Sequence, residues 1–345
     1  MAQIRARAVG GANADGSHGA AAATRGSVYP LGSMIERTVF FGTPEFAVPA
    51  LRALAASEFR PVLVVSQPSR PAKRGQRLTE PPVVVAAREL GIPCEQVEKV
   101  RDPAFLARLA ELAPGIAVVV AFGQLFPRAL LELPRLGCVN LHASLLPRWR
   151  GAAPIQAAIA AGDARTGVTT MKMEEGLDSG PMLATAELAI GPHETAGELS
   201  QRLAALGGPL VVDTLRGLAA GTLAARPQDE SRVTVAPKIR KEKARTRWDF
   251  EAETLVGLIR AFQPWPGAEL PFGEEWVKVL QASAAAEHYG TAAGIVVAIE
   301  KERVLVSTGG DSVLAIERAQ RAGRGPVSGG DLARGLHLGV GDRLI

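Results

Sequence analysis

The chain has 345 residues, a net charge of +4, 47% apolar residues and 21% charged ones. That length is enough for two domains with a core each, and the apolar-to-charged balance is that of a soluble globular protein rather than a disordered one. Aromatics contribute only 5%, so the cores must be built mainly from Ala, Val and Leu, and no run approaches the roughly 20 uninterrupted apolar residues of a membrane span.

Residues 1–33 are rich in Ala, Gly and Ser without an apolar period and read as a disordered leader. Arg5, Arg7 and Arg25 lie in little amphipathic pattern, and there is no apolar core of a secretory signal. Support for an organellar transit peptide is weak, a cytoplasmic protein is expected, and Met34 is an alternative start. The run 37–42, RTVFFG, predicts a buried strand ending at Thr43-Pro44-Glu45, where Thr43 is placed to cap a helix and Pro44 to open its first turn. This strand-turn-helix opening lacks Gly-x-Gly-x-x-Gly, so a dinucleotide cofactor is not indicated.

A second strand over 60–65 leads into SQPSRPAKRGQRLTEPP, residues 66–82. Its prolines, its basic run (Arg70, Lys73, Arg74, Arg77) and its lack of an apolar period predict a long exposed loop. Helices over 83–90 and 103–112 precede GIAVVVAFG, 115–123, whose continuous apolar character suits a central parallel strand covered on both faces. Cys94 and Cys138 belong to no Cys-x-x-Cys or Cys/His ligand pattern, which argues against zinc and disulfides and for buried free thiols in a reducing compartment.

The densest chemistry lies in 137–154, GCVNLHASLLPRWRGAAP. Val139 and Leu141 alternate with Asn140 and His142, so a short strand carries the amide and the imidazole together on its other face. That pair has a use in acyl transfer: the amide donates to an oxygen that turns anionic as a carbonyl goes tetrahedral, and the imidazole carries the proton an attacking amine loses. Asp178, between the glycines of GLDSG, is the candidate to orient the imidazole and favour its protonated form. A lone Asn-x-His on a strand is more often a hydrogen-bonded core pair. Here the strand leaves the sheet into a Pro-, Arg- and Trp-bearing loop, the place where α/β folds bind ligands.

A helix over 154–161, a strand over 167–173 and a helix over 196–206 continuing to 218 keep strand and helix alternating, which predicts an α/β fold with an open, mostly parallel sheet. From Gly221 the chain turns polar, basic and linker-like, with seven basic residues against Glu242 between Arg232 and Arg247. A helix over 252–262 and strands over 276–280, 294–298, 304–307 and 313–316 then suggest a small barrel. Two basic segments in one chain point to a polyanionic partner.

The run NLHASLLPRWRGAAPIQAAIAAGDARTGVTTMKMEEGLDSG resembles the catalytic core of the folate-dependent formyltransferases, as does FFGTPEFA before it, and the resemblance extends from Ile35 to the C-terminus. It implies a Rossmann-like catalytic domain over 34–221, a basic linker over 222–243 and a smaller C-terminal OB-like β-barrel over 244–345. Asn140, His142 and Asp178 match the family's catalytic triad. Ser144, Leu145, Leu146 and Pro147 match its folate-binding signature, with Phe122, Leu125 and Phe126 implied in the pterin pocket. The implied donor is 10-formyltetrahydrofolate.

RPAKRGQ resembles a basic insertion that reaches the tRNA acceptor stem in the tRNA-acting members of the family, which makes Arg74 the foremost contact beside Arg70, Lys73 and Arg77. Lys238, Arg240, Lys241 and Lys243 are expected to form a second tRNA-facing surface. The implied acceptor is therefore the amino group of initiator methionyl-tRNA, in translation initiation. No metal is called for, because the nucleophile is a neutral amine and the leaving group a folate nitrogen; no membrane partner and a monomeric state are expected. A sugar-nucleotide amine is the alternative acceptor. A non-catalytic tRNA-binding protein would be expected to have lost Asn140, His142 or Asp178, and all three are present.

Overall fold

The structure, a computed structural model, describes residues 35–72 and 77–344. The leader and the tip of the first basic segment, with Lys73 and Arg74, lie outside the described residues. Two compact units interleave along the chain: the described residues up to His142 with Val168–Ala186 and Ala204–Gln228, and Ala143–Gly167 with Glu187–Leu203 and the described residues from Asp229 onward.

The first unit is built on a seven-stranded sheet. In chain order its strands are β1 (Thr38–Gly42), β2 (Leu63–Ser66), β5 (Cys94–Gln96), β6 (Ile116–Val120), β7 (Cys138–His142), β9 (Arg165–Lys172) and β10 (Met182–Ala189). Their spatial order is β10-β9-β7-β6-β1-β2-β5. The pairs β1–β6, β1–β2, β2–β5 and β6–β7 are parallel, and β9 runs antiparallel to β7. The open, mostly parallel, Rossmann-like sheet is thus present. Every residue of β1 and β6 is buried, as unbroken apolar runs require of strands covered on both faces.

Helices α1 (Val48–Ala55), α2 (Pro82–Glu89), α3 (Pro103–Glu111), α4 (Arg128–Leu131) and the long α6 (Ala196–Ala219) interleave with these strands. One face of the sheet meets a core in which Phe41 stands edge-on to Phe105, Phe122 and Phe126, at ring separations of 6.5, 5.4 and 5.0 Å.

Thr43 does not cap a helix. Its hydroxyl donates to the Phe122 carbonyl at 3.2 Å and accepts from the Gln67 N–H at 3.3 Å, joining the ends of three neighbouring strands, and a short 3-10 turn over Glu45–Ala47 leads into α1. The 66–82 segment contains a short hairpin of β3 (Arg70–Ala72) and β4 (Arg77–Thr79), whose main-chain pairing leaves no apolar period to read.

The second unit holds a six-stranded antiparallel sheet of OB-like form: β12 (Glu269–Phe272), β13 (Glu275–Ala285), β14 (Val296–Ile299), β15 (Val304–Ser307), β16 (Val313–Gln320) and β17 (Val327–Ser328). Bulges between Val279 and Ala282 bend β13 along β16. Helix α7 (Ala252–Ala261) packs on β13 and on α5 (Pro154–Ala160), and α8 (Gly329–Gly335) lies against β15 and β16. A parallel pair of β8 (Arg150–Gly151) and β11 (Val235–Ala236) gives the 222–243 stretch main-chain bonding that its linker-like composition does not suggest. Among the described residues no helix is long and apolar enough to cross a membrane.

Candidate active site

Strand β7 lies between the parallel β6 and the antiparallel β9, so Asn140 sits opposite Val119 on one side and Met171 on the other. Its alternation sorts the side chains. Leu141 faces α6, where Gly207 lies so close that a Cβ there would come within 2.5 Å of the Leu141 Cδ2. Cys138 joins the Phe41 core on the opposite face, and by the two-residue period Asn140 and His142 follow on that same face. The Cys138 thiol is pushed up to about 12 by burial and is inert at neutral pH. Cys94 differs from the expected buried thiol: it is exposed on β5, the edge strand, where packing covers only part of each residue.

The fold brings His142 and Asp178 together. The imidazole Nδ1 stands 3.5 Å from the Asp178 Oδ2, with the side chains 7% and 17% exposed, while Asn140 is half-buried. Asp178 adopts a φ of +50°, the left-handed region that costs a non-glycine residue energy. Two residues on, Gly180 is obligatory: a Cβ there would lie 1.8 Å from the Lys172 carbonyl oxygen.

The loop between β9 and β10 is tied at several points. The Lys172 N–H donates to the Pro181 carbonyl at 3.0 Å, Met182 and Arg226 exchange two main-chain bonds of 2.8 Å, and the Gln228 side-chain amide donates to the carbonyls of Asp178 and Gly180, both at 2.7 Å. Gln228 has no sequence signal, being one polar residue in a polar run.

Past His142 the chain enters the second unit. Ser144 is buried and its hydroxyl donates to the Arg148 carbonyl at 2.6 Å; Leu146 and Pro147 are buried and Leu145 is half-buried. Asp163 organises the rest of this loop. Its carboxylate accepts from the Trp149 indole at 2.7 Å and from Arg148 at 2.6 and 2.9 Å, and the Arg148 guanidinium stacks 4.3 Å from the Trp149 ring. With Leu145, Ala164 and Thr166 these residues line a cavity of about 320 Å³. Arg150 is buried and pairs with Glu230 at 2.7 Å, and its guanidinium holds that carboxyl below the usual range.

Phe122 and Phe126 are buried in the aromatic core, whereas Leu125 is 81% exposed. In the basic hairpin, Arg70 donates at 3.1 Å to the Gln67 side chain, which itself donates to the Phe122 carbonyl at 2.7 Å. Arg77 contributes to β4. In the second unit Lys238, Arg240, Lys241 and Lys243 are all exposed. From Lys243 to Trp248 the chain alternates exposed Lys243, Arg245 and Arg247 with buried Ala244, Thr246 and Trp248, a period-2 pattern that turns every base of this stretch outward. Among the described residues no three His, Cys, Asp or Glu side chains are grouped to hold a metal ion.

Residues 36–215 match the formyl transferase family model, and residues 238–337 match that of the formyl transferase C-terminal domain. A methionyl-tRNA formyltransferase of Pseudomonas syringae is 48% identical over 86% of this chain and 93% of its own length. One from Geobacter metallireducens is 44% identical over 89% and 97%. Among solved structures, an N-formyltransferase from Helicobacter canadensis, in complex with folinic acid and dTDP-3-aminofucose, superposes with a TM-score of 0.63 at 16% identity, covering 81% of this chain and 98% of that one. HypX from Aquifex aeolicus, in complex with tetrahydrofolic acid, superposes at 0.57 and 17% identity over 88% and 48%. These two likenesses establish the fold.

Proposed function

That the chain belongs to the formyl transferase family is the premise from which we infer its reaction: transfer of the formyl group of 10-formyltetrahydrofolate to the α-amino group of methionine carried by initiator tRNA. The acceptor follows from similarity along nearly the whole chain to methionyl-tRNA formyltransferases. The observation that carries the chemistry is His142 standing 3.5 Å from Asp178 at the end of the strand that also bears Asn140.

The amine attacks the formyl carbon, a new C–N bond forms, and the formyl oxygen takes the displaced electron pair. Asn140 donates its side-chain N–H to that oxygen, the kind of donor that acts most strongly where charge develops. His142 supports the same oxygen and shuttles the proton lost by the amine. Asp178 orients the imidazole and holds a water that passes a proton to N10, so that the C–N10 bond breaks and tetrahydrofolate leaves. Ser144, Leu145, Leu146 and Pro147, next along the chain, hold the folate, with Leu125 the exposed apolar residue of the 122–127 turn available to its pterin. Arg70, Lys73, Arg74 and Arg77 meet the acceptor end of the tRNA, and Lys238, Arg240, Lys241 and Lys243 its phosphates.

The test is transfer of labelled formyl from 10-formyltetrahydrofolate to charged initiator tRNA, with uncharged tRNA, elongator methionyl-tRNA and a sugar-nucleotide amine as parallel acceptors. Label confined to the charged initiator is expected. Label only on the sugar amine would overturn the acceptor and leave the transfer chemistry standing.

A further inference from the structure

We propose that Gln228 is a positioning residue for the transfer reaction, clamping the main chain on both sides of Ser179 so that Asp178 stands beside His142. This rests on Asp178 acting in the reaction. The two hydrogens of the Gln228 amide each meet a carbonyl oxygen, those of Asp178 and Gly180, at 2.7 Å. Two acceptors converging on one nitrogen fix the amide's orientation, since its oxygen facing either carbonyl would repel. Gln228 is itself buried, at 9% exposed. A leucine in its place would leave two inward carbonyls without this donor, and a glutamate would set an acceptor against both.

The clamp acts where the backbone needs it. Asp178 is held at a φ of +50°, a conformation that persists only where the surroundings over-determine it. Gly180 supplies part of that constraint by its close approach to Lys172, and Gln228 supplies hydrogen bonds from a segment some fifty positions further along the chain. The segment does not depend on the clamp for its own place, because Arg226 is bridged to Met182 through main-chain atoms alone. Replacing the Gln228 side chain therefore frees the Asp178 loop without undocking the segment. A catalytic group displaced by about 1 Å costs on the order of 10²-fold in rate.

The test uses the full chain, with Gln228→Leu, the near-isosteric Gln228→Glu and the shorter amide Gln228→Asn. Gln228→Leu and Gln228→Glu are expected to lower kcat about 10- to 100-fold with KM for the folate and for charged tRNA little changed, and Gln228→Asn to lose less. Asp178→Ala combined with Gln228→Leu is expected to match Asp178→Ala alone, because the clamp acts through that carboxylate. If Gln228→Leu fails to fold, Gln228→Glu carries the same comparison. Wild-type kcat in Gln228→Leu and Gln228→Glu, or a loss that multiplies with that of Asp178→Ala, would overturn the proposal alone. Wild-type kcat in Asp178→Ala would overturn the catalytic reading and the proposal together.

Discussion

Asn140 and His142 owe their adjacency to the two-residue period of β7, and their surroundings to the row that Cys138 begins on the same face. Removing one donor to a developing oxyanion costs about 10²- to 10³-fold in kcat. Asn140→Ala is expected to lose that much in single-turnover transfer with an unchanged melting temperature, since Asn140 is only half-buried; near-normal turnover would remove it from that role. Gly180→Ala should behave differently. Its Cβ would meet the Lys172 carbonyl at 1.8 Å, so the loop must move and take Asp178 with it. Activity should fall together with a lower melting temperature, and a fully active Gly180→Ala would show that the loop tolerates displacement. At this scale the alternation 139–142 and the GLDSG loop were legible because each is a local pattern. Gln228 and the Thr43 hydroxyl were not, because their partners lie fifty and seventy-nine positions away and only the tertiary fold brings them near.

Among elements, β6 and β9 pair with β7 on its two edges, and α6 presses on its Leu141 face. Gly207 lets the helix approach Leu141, and at the neighbouring Gly208 a Cβ would stand 3.0 Å from the Pro49 carbonyl of α1. Gly207→Val should therefore push Leu141, which lies between Asn140 and His142 in β7. Overpacking of this kind costs about 1–3 kcal/mol, and denaturant unfolding should show it together with a reduced kcat. An unperturbed kcat would mean that Leu141 yields by a rotamer change without moving the strand. The buried strands announced themselves as apolar runs, and the helices as periodic ones. The antiparallel direction of β9 and the hairpin of β3 and β4 did not, since strand direction and short main-chain pairing are set by connections and hydrogen bonds rather than by side-chain period. The edge strand β10 has little sequence signature for a related reason: its alternation of Ala, Thr and Glu leaves mostly half-exposed positions and a weak apolar signal.

Over the whole molecule a net charge of +4 is too small to gather a polyanion by itself, so the placement of charge decides. Within the exposed basic stretch of the second unit not every cation is equally available. Arg245 lies 3.5 Å from Glu269 and stacks on Trp276 at 4.8 Å, and Arg247 pairs with Asp249 at 3.0 Å. Lys238, Lys241 and Lys243 should therefore supply more of the phosphate affinity than Arg245 and Arg247. Each phosphate neutralised contributes roughly 0.7 to 0.9 to the slope of log affinity against log salt. Replacing Lys238, Lys241 and Lys243 together by Gln should thus flatten that slope by about 2 to 3, weaken initiator and elongator tRNA equally because phosphate contacts carry no sequence information, and leave kcat at saturating tRNA intact. Arg247→Gln should change the slope less than any one of the three lysines. A slope unaltered in the triple variant would make this stretch ordinary solvated surface and leave tRNA capture to the hairpin between Ser66 and Pro82.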